Sequence, residues 1–220
     1  MAHLVWDWNG TLLDDLALVV DATNASLAVV GGPVVTVEEH RRDFRRPIVD
    51  YYAHVLGYPV DEAGFARLDE AFHDVYRAGL AGCVLAGDAV AALDAWARVG
   101  GTQSLLSMFY HEELVGEVHR HGLAGRLSRV DGLRDTPGGG FKAGHLAEHL
   151  AAVGLRGDEC VLIGDSVDDA DAAAAVGAGC VLYAGGFTDP RRLAATGLPV
   201  AANLLDAVAL AGSASGQVPV

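Results

Sequence analysis

From about residue 84 to residue 183 the sequence alternates short apolar segments with helical segments, and this alternation most limits the available folds. Apolar strands connected through helices form a mostly parallel sheet with helices on both faces. We therefore expect an α/β fold with a doubly wound, mostly parallel, Rossmann-like sheet, in which the apolar run 3–6 is a further strand. Strands are predicted at 102–106, 127–130, 159–163 and 179–183, and helices at 88–98, 112–120, 142–153 and 169–176.

The segment between the first strand and this alternating region has helical character only. Its longest helix is predicted to begin at Asp61, with Phe65, Leu68, Phe72 and Tyr76 at helical spacing on one face. We therefore expect an inserted all-α cap domain at 15–83 and an α/β core made of 1–14 and 84–211. The small, polar tail 212–220 is expected to be disordered.

Two of the predicted strands end in carboxylates. Asp7 follows the first strand and precedes Gly10, and Asp165 follows the strand 159–163 just before the helix that Asp169 opens. If these strands are neighbours, Asp7, Asp165 and Asp169 converge, and Mg²⁺ suits such an all-oxygen site. The alternative for Asp7 and Asn9 is that both are turn-forming residues.

Composition excludes several classes of partner. The net charge of −14 argues against nucleic acid and anionic membrane surfaces. Apolar residues make up 51% of the chain, yet they form no run of membrane-spanning length. Three widely spaced cysteines have no metal-ligand spacing, and the chain begins without a signal-type segment, so we expect a cytoplasmic protein. Nothing in the sequence predicts the oligomeric state.

The sequence resembles the haloacid dehalogenase superfamily. The shared features are the acids at the strand ends, the single lysine Lys142 in the second half of the chain, and the inserted helices. The likeness is greatest to its phosphatases with a helical cap, the phosphoglycolate phosphatase and β-phosphoglucomutase group. It extends from residue 1 to about 211. Its specific motifs are Asp7-x-Asn9-Gly10-Thr11 and Gly164-Asp165-Ser166-x-x-Asp169.

The resemblance implies a role for each matching residue. Asp7 would be the nucleophile that takes the phosphoryl group, and Lys142, the only lysine in the chain, would offset charge on Asp7 and on the phosphoryl oxygens. The residues that would hold the phosphoryl group are Gly10, Thr11, Ser107, Met108 and Lys142. Mg²⁺ would be bound by the carboxylates of Asp7, Asp165 and Asp169 and by the backbone carbonyl of Asn9.

Asn9 departs from the family pattern. Phosphatases of the superfamily usually carry aspartate at this position, where it protonates the leaving group and then activates water. An amide cannot transfer a proton in this way, and general acid–base catalysis contributes about 10²- to 10⁴-fold to a rate. The sequence therefore predicts slow turnover of substrates whose leaving group needs a proton.

A basic cluster precedes Pro47. Arg45 and Arg46 either lie at a solvated helix end or face the core and bind an anionic part of the substrate. We expect the second arrangement, because an acidic protein needs local positive charge to admit a phosphate ester.

These observations predict a Mg²⁺-dependent phosphatase that hydrolyses a small phosphorylated metabolite through an aspartyl-phosphate on Asp7. One rival is a catalytically weakened binding or regulatory protein on the same fold. Another is carbon–halogen or carbon–phosphorus cleavage. The superfamily's dehalogenases work without metal, so the acidic cluster argues against carbon–halogen cleavage. A phosphonatase would be expected to carry a lysine in its cap, and the expected cap of this chain contains no lysine.

Overall fold

The computed structural model describes residues 1–134 and 141–214. The strands are β1 (His3–Trp6), β2 (Leu13–Asp14), β3 (Val84–Leu85), β4 (Gln103–Tyr110), β5 (Val130–Leu133), β6 (Cys160–Gly164), β7 (Gly179–Tyr183) and β8 (Val200–Ala201). The helices are α1 (Leu16–Ala28), α2 (Val37–Asp43), α3 (Ile48–Leu56), α4 (Glu62–Leu80), α5 (Ala89–Arg98), α6 (His111–Arg120), α7 (Lys142–Val153), α8 (Val167–Val176), α9 (Pro190–Ala194) and α10 (Leu204–Ala214).

Six strands form one parallel sheet in the order β5-β4-β1-β6-β7-β8. Strand β1 is central, and all four of its residues are buried. Leu4 and Trp6 pack into the hydrophobic cluster on one face, and Val5 packs into the cluster on the other. Successive side chains of a strand point to opposite faces, so an uninterrupted apolar run suits a strand covered on both sides. The α/β sheet expected from the sequence is confirmed.

Helices α1 to α4 lie between β2 and β3, and α1 packs along α4. They share a small hydrophobic cluster that includes Leu27, Tyr51 and Leu68. The strands that lead into and out of these helices pair antiparallel, with Leu13 opposite Leu85. Both connections between the helices and the sheet therefore run side by side. The division into a cap at 15–83 and a core stays a prediction.

Three details differ from the sequence expectation. Strand β5 begins at Val130, where the predicted strand 127–130 ends, because Ala124–Arg126 form a short 3₁₀ helix just before it. Strand β4 continues to Tyr110, so Ser107 lies within it, in a stretch where its pairing register with β5 shifts. Helix α10 continues to Ala214, so 212–214 are helical, and the rest of the expected tail lies outside the described residues.

Within 1–134 and 141–214, we find no helix long and apolar enough to cross a membrane.

Candidate active site

Three carboxylates meet where the central strands end. Strands β1 and β6 are neighbours, and the Asp7 N–H donates to the Ile163 carbonyl at 2.9 Å, which sets the two strand ends level. Asp7, Asp165 and Asp169 each offer an oxygen, and these oxygens lie within 4.8 Å of one another. All three residues are buried. The convergence expected from the sequence is therefore present.

Lys142 joins two of these acids. Its Nζ donates to Asp7 Oδ1 at 2.5 Å and to Asp169 Oδ1 at 2.6 Å. The other oxygen of Asp169 accepts from the hydroxyl of Ser166 at 2.7 Å and from its N–H at 3.0 Å, in a capping box that starts α8. A motif of helix initiation thus also fixes the orientation of a site carboxylate.

Burial and mutual repulsion shift the pKa of these groups. Burial raises the pKa of Asp7 to about 6 although Lys142 opposes the shift. Burial, with the charges of Asp7 and Asp169, raises the pKa of Asp165 well above its ordinary value. Burial also opposes ionisation of Asp169, but the Lys142 ammonium outweighs it and lowers the pKa of that carboxyl. Three carboxylates against one ammonium leave the fully ionised cluster with a formal charge of −2.

Glycines allow the backbone to approach these acids closely. Gly10 has φ +71°, and a Cβ there would lie 2.6 Å from Asp165 Oδ2. A Cβ on Gly186 would lie 2.1 Å from the same oxygen, which accepts the Phe187 N–H at 2.5 Å. The position of Asp165 therefore depends on two residues without side chains.

The Asn9 side chain is fixed by three partners. Its Nδ2 donates to Asp15 Oδ2 and to the Tyr76 hydroxyl, both at 2.8 Å, and its Oδ1 accepts from Ser107 Oγ at 3.3 Å. The Tyr76 hydroxyl also donates to Asp15 at 2.7 Å. Burial raises the pKa of Asp15 to about 6, against these hydrogen bonds. Because Tyr76 belongs to α4, this network connects the inserted helices to the end of β1.

Asp15 has the residue type of a helix N-cap and stands just before α1. It does occupy the N-cap position of that helix, but its side chain makes no capping hydrogen bond. Oδ1 instead accepts the Gly10 N–H at 2.8 Å. That N–H, which the sequence suggested for an incoming phosphate, is therefore already bonded in this structure. The consecutive acids Asp14 and Asp15 were the available signal, but a helix start explains such acids equally well.

Three of the remaining expected phosphate-binding residues line this cleft, and Thr11 is buried against two of its acids. Thr11 Oγ1 donates to Asp165 Oδ1 at 3.2 Å and approaches Asp7 Oδ2 at 3.4 Å. Ser107, Met108 and Lys142 line the same cleft as Asp7. We call this small space, with the acids at its base, the acid cleft.

The comparisons with known proteins agree with this geometry. Residues 141–207, which contain Lys142, Asp165 and Asp169, match the sequence model of the family described as HAD-hydrolase-like. Over this segment, less than half of the chain, the sequence is therefore similar to that family. A search of curated proteins by sequence gave no match.

Solved structures of similar hydrolases share the whole fold. A haloacid dehalogenase-like family hydrolase from Streptococcus pneumoniae superposes with a TM-score of 0.81 at 16% identity, covering 95% of this chain and 97% of that one. A predicted phosphatase from Clostridium acetobutylicum gives 0.82 at 15% identity, covering 94% and 96%. A predicted phosphoglycolate phosphatase from Haemophilus somnus gives 0.75 at 18% identity, covering 96% and 97%. At these identities the likeness shows the fold.

The two arginines of the basic cluster have different surroundings in this structure. Arg46 lines the acid cleft, with its Nε 3.7 Å from Asp168 Oδ2. Arg45 instead donates from Nε to the Asp43 carbonyl at 2.8 Å. Arg46 is therefore placed to meet an anion in the cleft. Sequence reasoning missed one other wall residue, Phe187, because it stands in no distinctive pattern. Asp168, also in the wall, belongs to the acidic segment that follows β6, but a helix start explains it and it was given no role in the site.

The donor set of the acid cleft fits a hard divalent cation. Its ligand atoms are carboxylate oxygens, without a thiolate or imidazole among the three clustered groups. Mg²⁺ prefers such oxygen donors and completes its shell with water and phosphate. A divalent ion would also balance the formal −2 of the cluster.

Proposed function

We propose that this hydrolase is a Mg²⁺-dependent phosphatase that transfers the phosphoryl group of a small phosphate monoester to Asp7 and then to water. The observation that carries the proposal is the Asp7 carboxylate, which lies between Lys142 Nζ and the Thr11 hydroxyl at the base of an open cleft. Structural neighbours described as phosphatases support the same reaction class.

In the first step, an Asp7 oxygen forms a bond to phosphorus while the bond from phosphorus to the ester oxygen breaks; the ester oxygen keeps the electron pair and takes a proton from solvent. Lys142 and the hydroxyls of Thr11 and Ser107 would stabilise charge on the phosphoryl oxygens. In the second step, a water oxygen bonds to phosphorus and releases a proton to solvent, the bond between phosphorus and the Asp7 oxygen breaks with its electron pair returning to the carboxylate, and inorganic phosphate leaves.

The metal would be held by the carboxylates of Asp7, Asp165 and Asp169 and by the Asn9 backbone carbonyl. When bound, Mg²⁺ supplies positive charge for the phosphoryl oxygens, which lowers the barrier to transfer. Lys142 already neutralises part of the charge of Asp7, and this keeps Asp7 ionised as a nucleophile near neutral pH.

Proton transfer is the weak point of this site. Asn9 occupies the sequence position that the family gives to an acid, and its amide nitrogen donates to Asp15 and Tyr76. We therefore expect substrates with good leaving groups, such as aryl phosphate esters and the acyl phosphate acetyl phosphate, to react faster than alkyl phosphates.

The test is phosphate release from acetyl phosphate and an aryl phosphate, with Mg²⁺ and with a chelator. We expect turnover only with Mg²⁺, and its loss in Asp7→Asn. Asp14→Asn is the matched control, because Asp14 is an exposed acid in the same segment. If neither compound releases phosphate, a binding or regulatory role on this fold becomes the better account. Full activity of a folded Asp7→Asn protein would remove Asp7 as nucleophile.

A further inference from the structure

A second cavity opens beside the acid cleft. It has a volume of about 140 Å³ and lies between the helices α1 to α4 and the end of β4. The two spaces share part of their walls, so a molecule whose phosphoryl group is in the cleft would extend into the cavity. The shared residues are Asn9, Phe44, Arg46, Met108 and Phe187.

The wall of this cavity is largely aromatic. Phe44 and Phe187 meet edge to face with ring centroids 5.6 Å apart, at the opening toward the acid cleft. Tyr76 stacks on Phe72 at 5.6 Å and meets Phe109 edge to face at 5.7 Å. Such contacts fix the rings in place, so the cavity offers a preformed apolar surface.

Charge within the wall is either paired or neutral. Asp69 Oδ2 lies 3.3 Å from His73 Nδ1. Burial opposes the charged form of His73, but the Asp69 carboxylate outweighs it and raises the pKa of that histidine. Burial lowers the pKa of His40 to about 4, so His40 is neutral at pH 7. Arg46 is the one permanent cation among the described wall residues, and it faces Asp168.

We propose that this cavity binds the alcohol part of the substrate, and that this part is apolar and about the size of one six-membered ring. This inference rests on the phosphatase proposed above. A dry apolar cavity of about 150 Å³ takes up one benzene molecule, so 140 Å³ has room for one ring or a short alkyl chain. A leaving group that ends in a carboxylate would lose hydration there without gaining a cation, because His73 is paired with Asp69 and Arg46 lies where the cavity joins the acid cleft, beside the phosphoryl group.

The first test is a series of n-alkyl phosphates from methyl to hexyl, assayed as kcat/KM with Mg²⁺. Burial of each methylene favours binding by about fourfold, so kcat/KM should rise about fourfold per carbon until the cavity is full and then level off. Benzyl phosphate should match the longer chains. 2-Phosphoglycolate should fall at or below methyl phosphate.

Two variants of one wall residue should move the optimum in opposite directions. Ile48 lines the cavity but not the acid cleft, at the start of α3. Ile48→Trp should shorten the optimal chain, and Ile48→Ala should lengthen it. Val90→Trp, at an exposed apolar position on α5 outside the cavity wall, is the control and should leave the optimum unchanged.

A binding arm separates this inference from the proposed function. Alkylphosphonates of the same chain lengths cannot transfer their phosphorus to water as esters do, and calorimetry gives their affinities directly. Affinity should rise about fourfold per methylene. If affinity rises but no ester or acetyl phosphate releases phosphate, the cavity assignment stands and the phosphatase proposal fails. If affinity is independent of chain length in the wild type, the cavity assignment is overturned, whether or not phosphate is released.

Discussion

Replacing Asn9 by aspartate should make the stability of the protein depend strongly on pH. The Asn9 Nδ2 lies 2.8 Å from Asp15 Oδ2, so Asn9→Asp places two carboxyl groups in direct contact inside the protein. Asp15 is fully buried and its pKa is already raised to about 6. Two carboxylates at this distance cannot both ionise, so the pair is expected to hold one shared proton up to about pH 8.

The size of this pH dependence follows from the number of protons that the folded and the unfolded protein bind. In the wild type, Asp15 releases its proton near pH 6, whereas the variant pair is expected to retain one proton up to about pH 8, about two pH units higher. The unfolded chain, with a carboxyl pKa of about 3.9, binds almost none in this range. A carboxyl group whose pKa is higher in the folded than in the unfolded protein stabilises the fold at low pH. That contribution to the free energy of unfolding is lost as the pH rises through the folded pKa. Each proton retained over one pH unit changes the free energy of unfolding by about 1.4 kcal/mol. Between pH 5 and pH 8, the free energy of unfolding of Asn9→Asp should therefore fall by about 3 kcal/mol more than that of the wild type.

The assay is urea unfolding of the metal-free protein at four pH values between 5 and 8. Asn203→Asp is the control, because it adds the same charge beside Asp206 at an exposed position, where solvent screens it. The double variant Asn9→Asp/Asp15→Asn has one carboxyl and one amide again, so the additional pH dependence should disappear. Its kcat on alkyl phosphates should rise within the roughly 10²- to 10⁴-fold range of general acid–base catalysis. If Asn9→Asp follows the wild-type pH profile, Asn9 does not face Asp15.

Three further predictions concern metal and substrate. Protons compete with Mg²⁺ for Asp7, whose pKa is about 6, and for Asp165, whose pKa burial raises well above its ordinary value. Mg²⁺ should therefore bind at least about tenfold more weakly at pH 5 than at pH 7.5, measured by calorimetry. Asp165→Ala should raise the Mg²⁺ concentration needed for half-maximal activity and increase the melting temperature of the metal-free protein, because it relieves repulsion; an unchanged Mg²⁺ requirement would remove it as a ligand. Arg46→Ala should raise KM about tenfold with a smaller change in kcat. Arg67 is an exposed arginine on α4, so Arg67→Ala should behave like the wild type. Equal KM values for the two variants would exclude a role for Arg46 in binding.

Local sequence pattern was sufficient to predict the sheet and the acids at its edge. Apolar runs such as 3–6 and 159–163 have no polar face, so only a strand covered on both sides accommodates them, and the acid that follows each run lies at the same edge. Where a strand is only partly buried, its hydrophobic pattern is a weaker signal. Strand β5 is half-buried through most of its length, and its predicted position was three residues too early.

The contacts around Asn9 and the aromatic cavity could not be predicted from the sequence. The partners of the Asn9 amide nitrogen are Asp15, at the N-cap of α1, and Tyr76, which is 67 positions away on α4. Tyr76 and Phe72 were read as an apolar face of a helix, and that face does pack inward, but it also lines a cavity. Whether an aromatic residue fills a core or borders a cavity depends on the arrangement of several helices, which spacing along one helix does not specify.

The most direct test of the account is to look for a phosphoryl group on Asp7. The enzyme would be mixed with acetyl phosphate and Mg²⁺, quenched in acid during turnover, digested and analysed by mass spectrometry. Because Asn9 cannot activate water, the aspartyl-phosphate should accumulate, so we expect a phosphorylated peptide containing Asp7 in the wild type and none in Asp7→Asn. Steady phosphate release with no modified peptide, or with undiminished activity in Asp7→Asn, would contradict the account.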